Sequence, residues 1–445
     1  MRSKSSTPLN ILLTNGRFPV SLALARQLKL AGHHSMHYHV CKFSIDVKHS
    51  YRVPVPREDG AGFVSGVKHA ILSANIDIVI PIHEEIFYLA RAAEADLELR
   101  SKLFAPPFKT LIRMHSKWQF AQFLRSIGLD APESRLCECY KDVQDLDTGR
   151  EWALKPEFGR ASLNVYHLRP GKPLPELKDD GLNVGYENYY VAQEWLPGQR
   201  YCSYAILHNG NVAAFALYPV KDTIDGSSCV YFQAEEHPRI RAVVDQIAQA
   251  LPEASGQLAF DFIETNETPS RLIAIECNPR ATSGIYLFSG TSSLAHAFTS
   301  EILTPPTVAT YFNSLSPLSS PEPSSSASSP LSTKPTVVTA KPGARRQLAP
   351  GMLMWRRTKA DQDCKAALKE YLWHMKRLMC SRDVIFSGRD LLPSLMQPFL
   401  LTSYYEICRE RKMNLPKMFQ WDMIWDPKGE ELENVRKMFE EKDEH

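Results

Sequence analysis

The residue types best suited to chemistry lie in two short runs, Asp261-Phe262-Ile263-Glu264 and Ile275-Glu276-Cys277-Asn278-Pro279-Arg280. Side chains alternate along a strand, so an extended stretch over 272–278 puts Glu276 and Asn278 on one face. The polar residues 266–270 predict a turn that folds the preceding strand back and brings Asp261 beside them. Two carboxylates and an amide oxygen on a common face make an oxygen-rich site for Mg2+, a hard cation that shares its shell with phosphates. Pro279 stops the ladder, and Arg280 then aims a fixed cation at the same place, suited to a phosphoryl group. Spacing alone leaves a second reading open, a hairpin whose polar face is only solvated.

Hydrophobic periodicity supplies the elements that must position these residues. An apolar strand over 10–14 precedes the turn Asn15-Gly16-Arg17, a helix over 20–31 capped by Gly32, and a second strand near 37–40. Helix 63–73 and strand 76–82 repeat the alternation, which predicts a small open α/β unit with a parallel sheet. Strand 76–82 delivers His83, Glu84 and Glu85, and ligands in open α/β sheets collect outside the carboxyl ends of strands. The triplet is therefore a candidate for holding a non-nucleotide substrate. An acidic helix start stabilised by the helix dipole fits it equally well. Asn15, Gly16 and Arg17 occupy the same position after the first strand, although one glycine is not a dinucleotide fingerprint.

From residue 117 the pattern changes. Helix 117–127 and an extended stretch over 131–135 lead into strands over 152–155, 189–195, 202–208 and 212–218. A helix over 240–250 and the paired strands 257–263 and 272–277 complete a section that reads as α+β. Residues 313–341 are rich in Ser, Pro and Thr. Such a stretch cannot bury enough apolar area to order itself, so a disordered linker is expected there. An amphipathic helix over 361–380 and a tail carrying Trp421 and Trp425 follow.

A chain of 445 residues has room for roughly two or three cores. A net charge of +2, without a basic run, predicts no nucleic-acid partner and no anionic membrane surface. The nine cysteines are scattered, and Cys137 and Cys139 have no second pair to complete a zinc site. The first residues lack the apolar length of a signal peptide, and the apolar stretch 391–401 is broken by Pro393 and Pro398. A soluble, cytoplasmic protein is expected.

Together the pieces resemble the ATP-grasp enzymes. Lys117 in MHSKWQF, Lys155 in WALKPEFGRAS, the stretch Gln193-Glu194-Trp195-Leu196-Pro197-Gly198, Asp261 and the Glu-x-Asn-Pro-Arg run follow the order of that superfamily's motifs. The resemblance implies an ATP-grasp fold preceded by a small open α/β domain: 1–110 for that domain, 111–305 for the nucleotide and metal site, 306–345 for the linker, and 346–445 for a C-terminal section packed on the ATP-grasp core. It implies ATP and Mg2+ as cofactors, with Mn2+ as an alternative ion. Asp261, Glu276 and Asn278 are then expected on the metal, and Lys117, Lys155 and Arg160 on the phosphates. Gln193, Glu194 and Leu196 fall to the adenine hinge, while Arg280, with Lys155, serves the transferred group. Trp195 and Leu196 read as core residues in any case.

A nearer resemblance is to the ATP-grasp ligases that make mycosporine-glycine by joining glycine to a cyclic enol-ketone. It runs through NILLTNGRFPVSLALARQLKLAGH, YRVPVPRED, IDIVIPI, QEWLPG and AIECNPRATSG, and resumes in SRDVIFSGRDLLP and Trp421-Asp422-Met423-Ile424-Trp425. It implies a ligase that phosphorylates a small-molecule acceptor and couples it to an amino acid or other amine, in specialised metabolism. His83, Glu84, Glu85 and Ser283 are its candidate substrate residues. One departure stands out. Many ATP-grasp proteins continue the hinge as Gly-x-Glu, whose Glu takes the ribose hydroxyls; here the run is Gly198-Gln199-Arg200. An arginine cannot accept those protons, which leaves either Glu194 or Gln199 to do so or a weaker hold on the nucleotide. A carboxylate–amine ligase, a scaffold that has lost catalysis, and a separate docking role for the C-terminal section remain as alternatives.

Overall fold

The computed structural model describes residues 8–30, 34–36, 39–160, 164–177, 182–221, 223–224, 228–303, 337–353, 364–418, 421–422 and 424–440. Its first sheet is all parallel, ordered Val47–His49 (β3), His34–Met36 (β2), Asn10–Leu13 (β1) and Ile78–Ile80 (β4). Helix Pro19–Leu30 (α1) is buried on nearly every side, with Val20, Leu22, Ala23, Leu24 and Leu28 among its buried residues. Asp59 caps helix Gly60–Ser73 (α2) by accepting the Gly62 N–H. Helix Glu85–Ala93 (α3) starts directly after β4.

The strand expected near 37–40 is corrected. The second strand is His34–Met36, and His39–Phe43 forms a 3-10 helix. Hydrogen bonds explain the curl: Cys41 N–H donates to the Gly16 carbonyl at 3.2 Å and Ser44 N–H to the Cys41 carbonyl at 3.0 Å. The expected cap, Gly32, lies outside the described residues.

Helices Leu97–Lys102 (α4), Phe108–His115 (α5) and Lys117–Ser126 (α6) lead into two further sheets. The smaller is antiparallel, ordered Ser134–Cys137 (β5), Tyr190–Glu194 (β8), Trp152–Pro156 (β6) and Tyr166–Leu168 (β7). The larger is ordered Leu272–Asn278 (β15), Gly256–Thr265 (β14), Gly198–His208 (β9), Asn211–Pro219 (β10) and Val338–Thr339 (β16). Short pieces complete the set: Thr223–Ile224 (β11) pairs with Ser228–Cys229 (β12), and Arg345–Gln347 (β17) lies between Tyr231–Gln233 (β13) and Arg382–Asp383 (β18). Helix Pro238–Gln249 covers the larger sheet with Ile240, Val244 and Ile247.

β16 and β17 correct the expected linker, which was drawn through residue 345. Val338 and Thr339 pair in parallel with Ala214 and Phe215. A β-branched run there suits an open sheet edge. Residues 304–336, which carry the Ser/Pro-rich stretch, lie outside the described residues. The helix expected over 361–380 is Cys364–Cys380, with 361–363 also outside.

One apolar cluster runs from Leu24 and Ile80 through Tyr204, Ile206, Ile285 and Phe298. Burying each such side chain contributes about 1.5–3 kcal/mol, which fixes the carboxyl end of the parallel sheet against the larger sheet. The C-terminal section packs on the N-terminal unit and also reaches the smaller antiparallel sheet, where Arg436 donates to Tyr189. Arg26 pairs with Asp390, Arg389 with Asp46 and Arg411 with Glu58. Helix Glu430–Glu440 buries Leu432 and Val435 among Phe87, Ile112, Phe158 and Tyr189. Among the described residues, no helix is long and apolar enough to cross a membrane.

Candidate active site

β14 and β15 form an antiparallel hairpin in which Asp261 stands directly opposite Glu276. The turn closes through Thr265 N–H on the Arg271 carbonyl and Arg271 N–H on Thr265 Oγ1, both at 2.9 Å. The register shifts between the pairs Phe262–Ala274 and Asp261–Glu276, leaving Ile275 as the extra residue of a bulge. Bulges re-aim side chains beside functional sites, and this one was not legible in the sequence. Asn278 Nδ2 donates to Asp261 Oδ2 at 3.3 Å, and Asn278 Oδ1 accepts from Arg280 Nη2 at 2.7 Å. The structure thus gathers all four residues of the expected cluster.

Lys155 enters from β6 of the smaller sheet and is buried, 7% exposed. Lys117 opens α6, and its Nζ donates to the Gly159 carbonyl at 3.1 Å. That bond ties the helix start to the loop that follows β6. Ser116 caps α6 by accepting the Gln119 N–H at 3.1 Å, while its hydroxyl donates to the Glu157 carboxylate.

Burial, and then the neighbouring Glu276 charge, push the Asp261 carboxyl above its ordinary range. Burial acts the same way on Glu276, but Lys117 and Lys155 outweigh it and hold that carboxyl below the ordinary value. Burial lowers the Lys155 ammonium to about 8, opposed by the Glu276 charge. Two carboxylates held against each other are short of a positive charge at the point between them. A divalent cation fits there, and Mg2+ needs only one or two protein carboxylates because phosphates and water complete its shell. Among the described residues no cluster of three His, Cys, Asp or Glu gathers. The Asn278 amide oxygen, expected on the metal, accepts instead from Arg280.

The hinge departs from expectation in two places. Glu194 was assigned to the nucleotide, with its carboxylate a substitute for the ribose contact. Its carboxylate is taken by Arg271 at 3.1 Å and by the Glu133 N–H at 2.9 Å. Trp195 is 40% exposed and stacks on His167 with ring centroids 3.5 Å apart, so it is not a core residue. Leu196 and Gln193 are buried. Gln199 Nε2 donates to the Arg200 carbonyl at 2.8 Å. A Cβ at Gly198 would sit 2.1 Å from the Glu264 carbonyl oxygen, so the close approach of β9 to β14 requires this glycine.

At the end of β4 the triplet divides its roles. Glu85 Oε1 accepts from Thr14 Oγ1 and from the N–H groups of Ile82 and His83, both at 3.1 Å. It anchors the ends of β1 and β4 and leaves only Oε2 without a partner. Glu85→Ala is expected to destabilise the fold by about 3 kcal/mol, because it strands buried donors; the midpoint of urea unfolding reads this directly. Glu84 is fully buried. Its Oε2 accepts the Trp425 N–H at 2.9 Å, and Oε1 lies 3.5 Å from Arg280 Nε and 3.6 Å from Arg160 Nη1. Burial tends to raise this carboxyl, but Arg160, His115 and Arg280 prevail and hold it low.

His83 is buried beside the Phe18 ring, 4.6 Å between centroids, and neither ring nitrogen has a hydrogen-bond partner. Burial, reinforced by Arg160, Arg280 and Arg17, drives its pKa well down, so the ring is neutral. Arg160 Nε and Nη1, Arg280 Nε and Thr282 Oγ1 are likewise buried without a hydrogen bond. Burial lowers Arg160 to about 10, which leaves it charged at neutral pH. A buried polar atom without a partner costs about 1–3 kcal/mol, so this concentration of them marks a place for a polar ligand. Ser283, half-buried, opens the 3-10 helix Ser283–Phe288 beside Thr282.

Sequence reasoning missed three contributors. His115, two residues before Lys117, is buried, and desolvation lowers it to about 4. Thr282 carried no signal of its own. Asp422, which forks onto Arg17 at 2.8 and 2.6 Å, lay in the matched tail segment but had no assigned task.

Residues 114–284 match the family described as an ATP-grasp domain, a span that holds Lys117, Lys155, Asp261, Glu276, Asn278 and Arg280. No curated protein sequence matches the chain. Among solved structures it is similar to the L-amino acid ligase from Bacillus licheniformis, with TM-score 0.50, 15% identity, and coverage of 70% of this chain and 78% of that one. It is also similar to a biotin carboxylase–β-γ-ATP complex from Campylobacter jejuni, with TM-score 0.52, 14% identity, and coverage of 65% and 70%. The biotin carboxylase domain of the Hydrogenobacter thermophilus 2-oxoglutarate carboxylase, solved with MgADP, ADP and bicarbonate, gives TM-score 0.51, 12% identity, and coverage of 67% and 70%. At these identities the likeness is one of fold. The family match thus covers residues 114–284, the span that holds β5 to β10, β14 and β15.

Proposed function

We propose that this chain is an ATP-dependent ligase that phosphorylates an acceptor oxygen and couples the activated acceptor to an amine, releasing ADP and phosphate. The observation that carries it is the carboxylate pair Asp261–Glu276, joined through Asn278 and Arg280 to the buried polar cluster at His83, Glu84 and Arg160, several of whose atoms have no hydrogen bond. One end of that arrangement suits a metal–nucleotide, and the other suits a second substrate beside it. The L-amino acid ligase among the similar structures is named for the same class of reaction.

Bound Mg2+ would neutralise phosphate charge between Asp261 and Glu276. Lys117 and Lys155 hold the phosphates, and Arg280 holds the group in transfer, so catalysis rests on positioning and charge. His83 and Arg160 orient the acceptor. The acceptor oxygen bonds to the γ-phosphorus as the bond to the ADP oxygen breaks. The amine nitrogen then bonds to the carbon that carries the phosphorylated oxygen; phosphate leaves and the nitrogen gives up a proton.

For the acceptor, a cyclic enol-ketone coupled to an amino acid such as glycine follows from the sequence resemblance, with a place in specialised metabolism. The buried guanidiniums of Arg160 and Arg280 also favour a carboxylate, which would give an acyl phosphate and an amide. The experiment is ADP release by the full-length protein with Mg-ATP, glycine and acceptors labelled with 18O at the reacting oxygen. Release that needs both partners, with the label carried into phosphate, is the expected result. ADP release without label in phosphate would overturn the proposal.

A further inference from the structure

We infer that Glu84 is a positioning residue of the transfer site and that the C-terminal segment around Trp425 holds it in place, which makes that segment part of the site. The inference rests on the ligase reading above.

Glu84 belongs to the N-terminal unit and sits at the start of α3, yet its side chain makes no capping hydrogen bond to that helix. It turns inward instead. One oxygen takes the Trp425 N–H at 2.9 Å, and the other stands between Arg280 at 3.5 Å and Arg160 at 3.6 Å. The two arginines come from different parts of the ATP-grasp domain, one just after β15 and one in the loop after β6. A single carboxylate therefore faces both guanidiniums and sets the spacing between them.

Trp425 is itself fixed. Its ring stacks on Phe87 at 4.6 Å and meets Phe108 and Phe158 edge-on at 6.1 and 5.6 Å. Three residues earlier, Asp422 forks onto Arg17 at the end of the first strand's turn. Burying a carboxylate among cations is weak evidence for stability alone, because desolvation offsets the attraction. What the arrangement supplies is geometry.

A counter-charge and a positioning residue predict opposite signs. If Glu84 only balances charge, its removal leaves the arginines more positive and tightens their hold on an anion. If it positions them, its removal loosens that hold.

The test measures Mg-ADP affinity of the full-length protein with and without aluminium fluoride, which mimics the phosphoryl group in transfer. Wild type is expected to bind at least about 10-fold more tightly with the mimic, as transition-state analogues do. Glu84→Gln, and separately Trp425→Pro, which removes the N–H donor, should lose that gain while keeping the affinity for Mg-ADP alone; thermal unfolding confirms that each is folded. Lys141→Ala, which breaks a surface pair with Asp145, should keep it. Unchanged or increased tightening in Glu84→Gln overturns the inference. Wild type that binds Mg-ADP without tightening overturns the placing of the two arginines, and the inference with it. Wild type that binds no Mg-ADP overturns the ligase reading itself.

Discussion

Glu276→Ala is expected to lower turnover by about 10²–10³-fold, the size of effect seen when one preorganised electrostatic group is lost from a transfer site. Glu276 faces Asp261 across the hairpin, and its charge is sustained by Lys117 and Lys155. Removing it leaves Asp261 as the remaining carboxylate for a cation and leaves two lysines without their counter-charge. Two effects on the fold oppose each other. Loss of the Glu276 charge relieves Asp261 but also removes the attraction of Lys117 and Lys155 that holds Glu276 low, so the melting temperature without ligand should lie at or below that of wild type. Steady-state ADP release and thermal unfolding, measured side by side, check both halves. Wild-type turnover in Glu276→Ala would remove this residue from the reaction.

The second large effect is expected at Lys155, where Lys155→Met should weaken Mg-ATP binding by at least about 10-fold, since a buried ammonium on a phosphate is a strong, charge-assisted contact. The pH dependence has a definite sign. Burial lowers the Lys155 pKa to about 8, so in free enzyme the positive charge is lost as pH rises past that value. Mg-ATP affinity of wild type should therefore fall above about pH 8, and Lys155→Met should lack that step. Stability runs the other way. The unfolded chain keeps its lysine protonated to higher pH, so between about pH 8 and the ordinary lysine value it binds more protons than the folded chain. Stability from this group consequently increases with pH across that window. Calorimetric titration at several pH values, paired with thermal unfolding, separates the two trends.

The hairpin cluster was legible because it depends on local rules. Alternation along β15 places Glu276 and Asn278 together, a polar turn returns the chain, and Pro279 ends the strand. The parallel N-terminal sheet was legible for the same reason, through helix and strand periods. What escaped depends on contacts distant in sequence. The partner of Glu84 is 341 residues away at Trp425, and the partner of Arg17 is 405 residues away at Asp422. A ribose contact from the Glu194 carboxylate is suggested by its place in a motif, but Arg271 from the neighbouring hairpin occupies that carboxylate. Trp195 was assigned by its apolarity, and an exposed stack on His167 accommodates it. The second strand was placed late because the Cys41 N–H bond to Gly16 curls a segment whose composition alone suits a strand. The run Val337-Val338-Thr339 shows the reverse case, where β-branched residues at the end of a Ser/Pro-rich stretch find a sheet edge.

The central claim is that Asp261 and Glu276 form a metal-dependent nucleotide site, and the thermal stability of the full-length protein with ATP, with and without Mg2+, tests it most directly. A ligand at about 100 times its dissociation constant stabilises the folded state by about 2.7 kcal/mol. A rise in melting temperature that needs Mg2+ and disappears in Glu276→Ala is expected. No rise at millimolar Mg-ATP, or an equal rise without the metal, would contradict it.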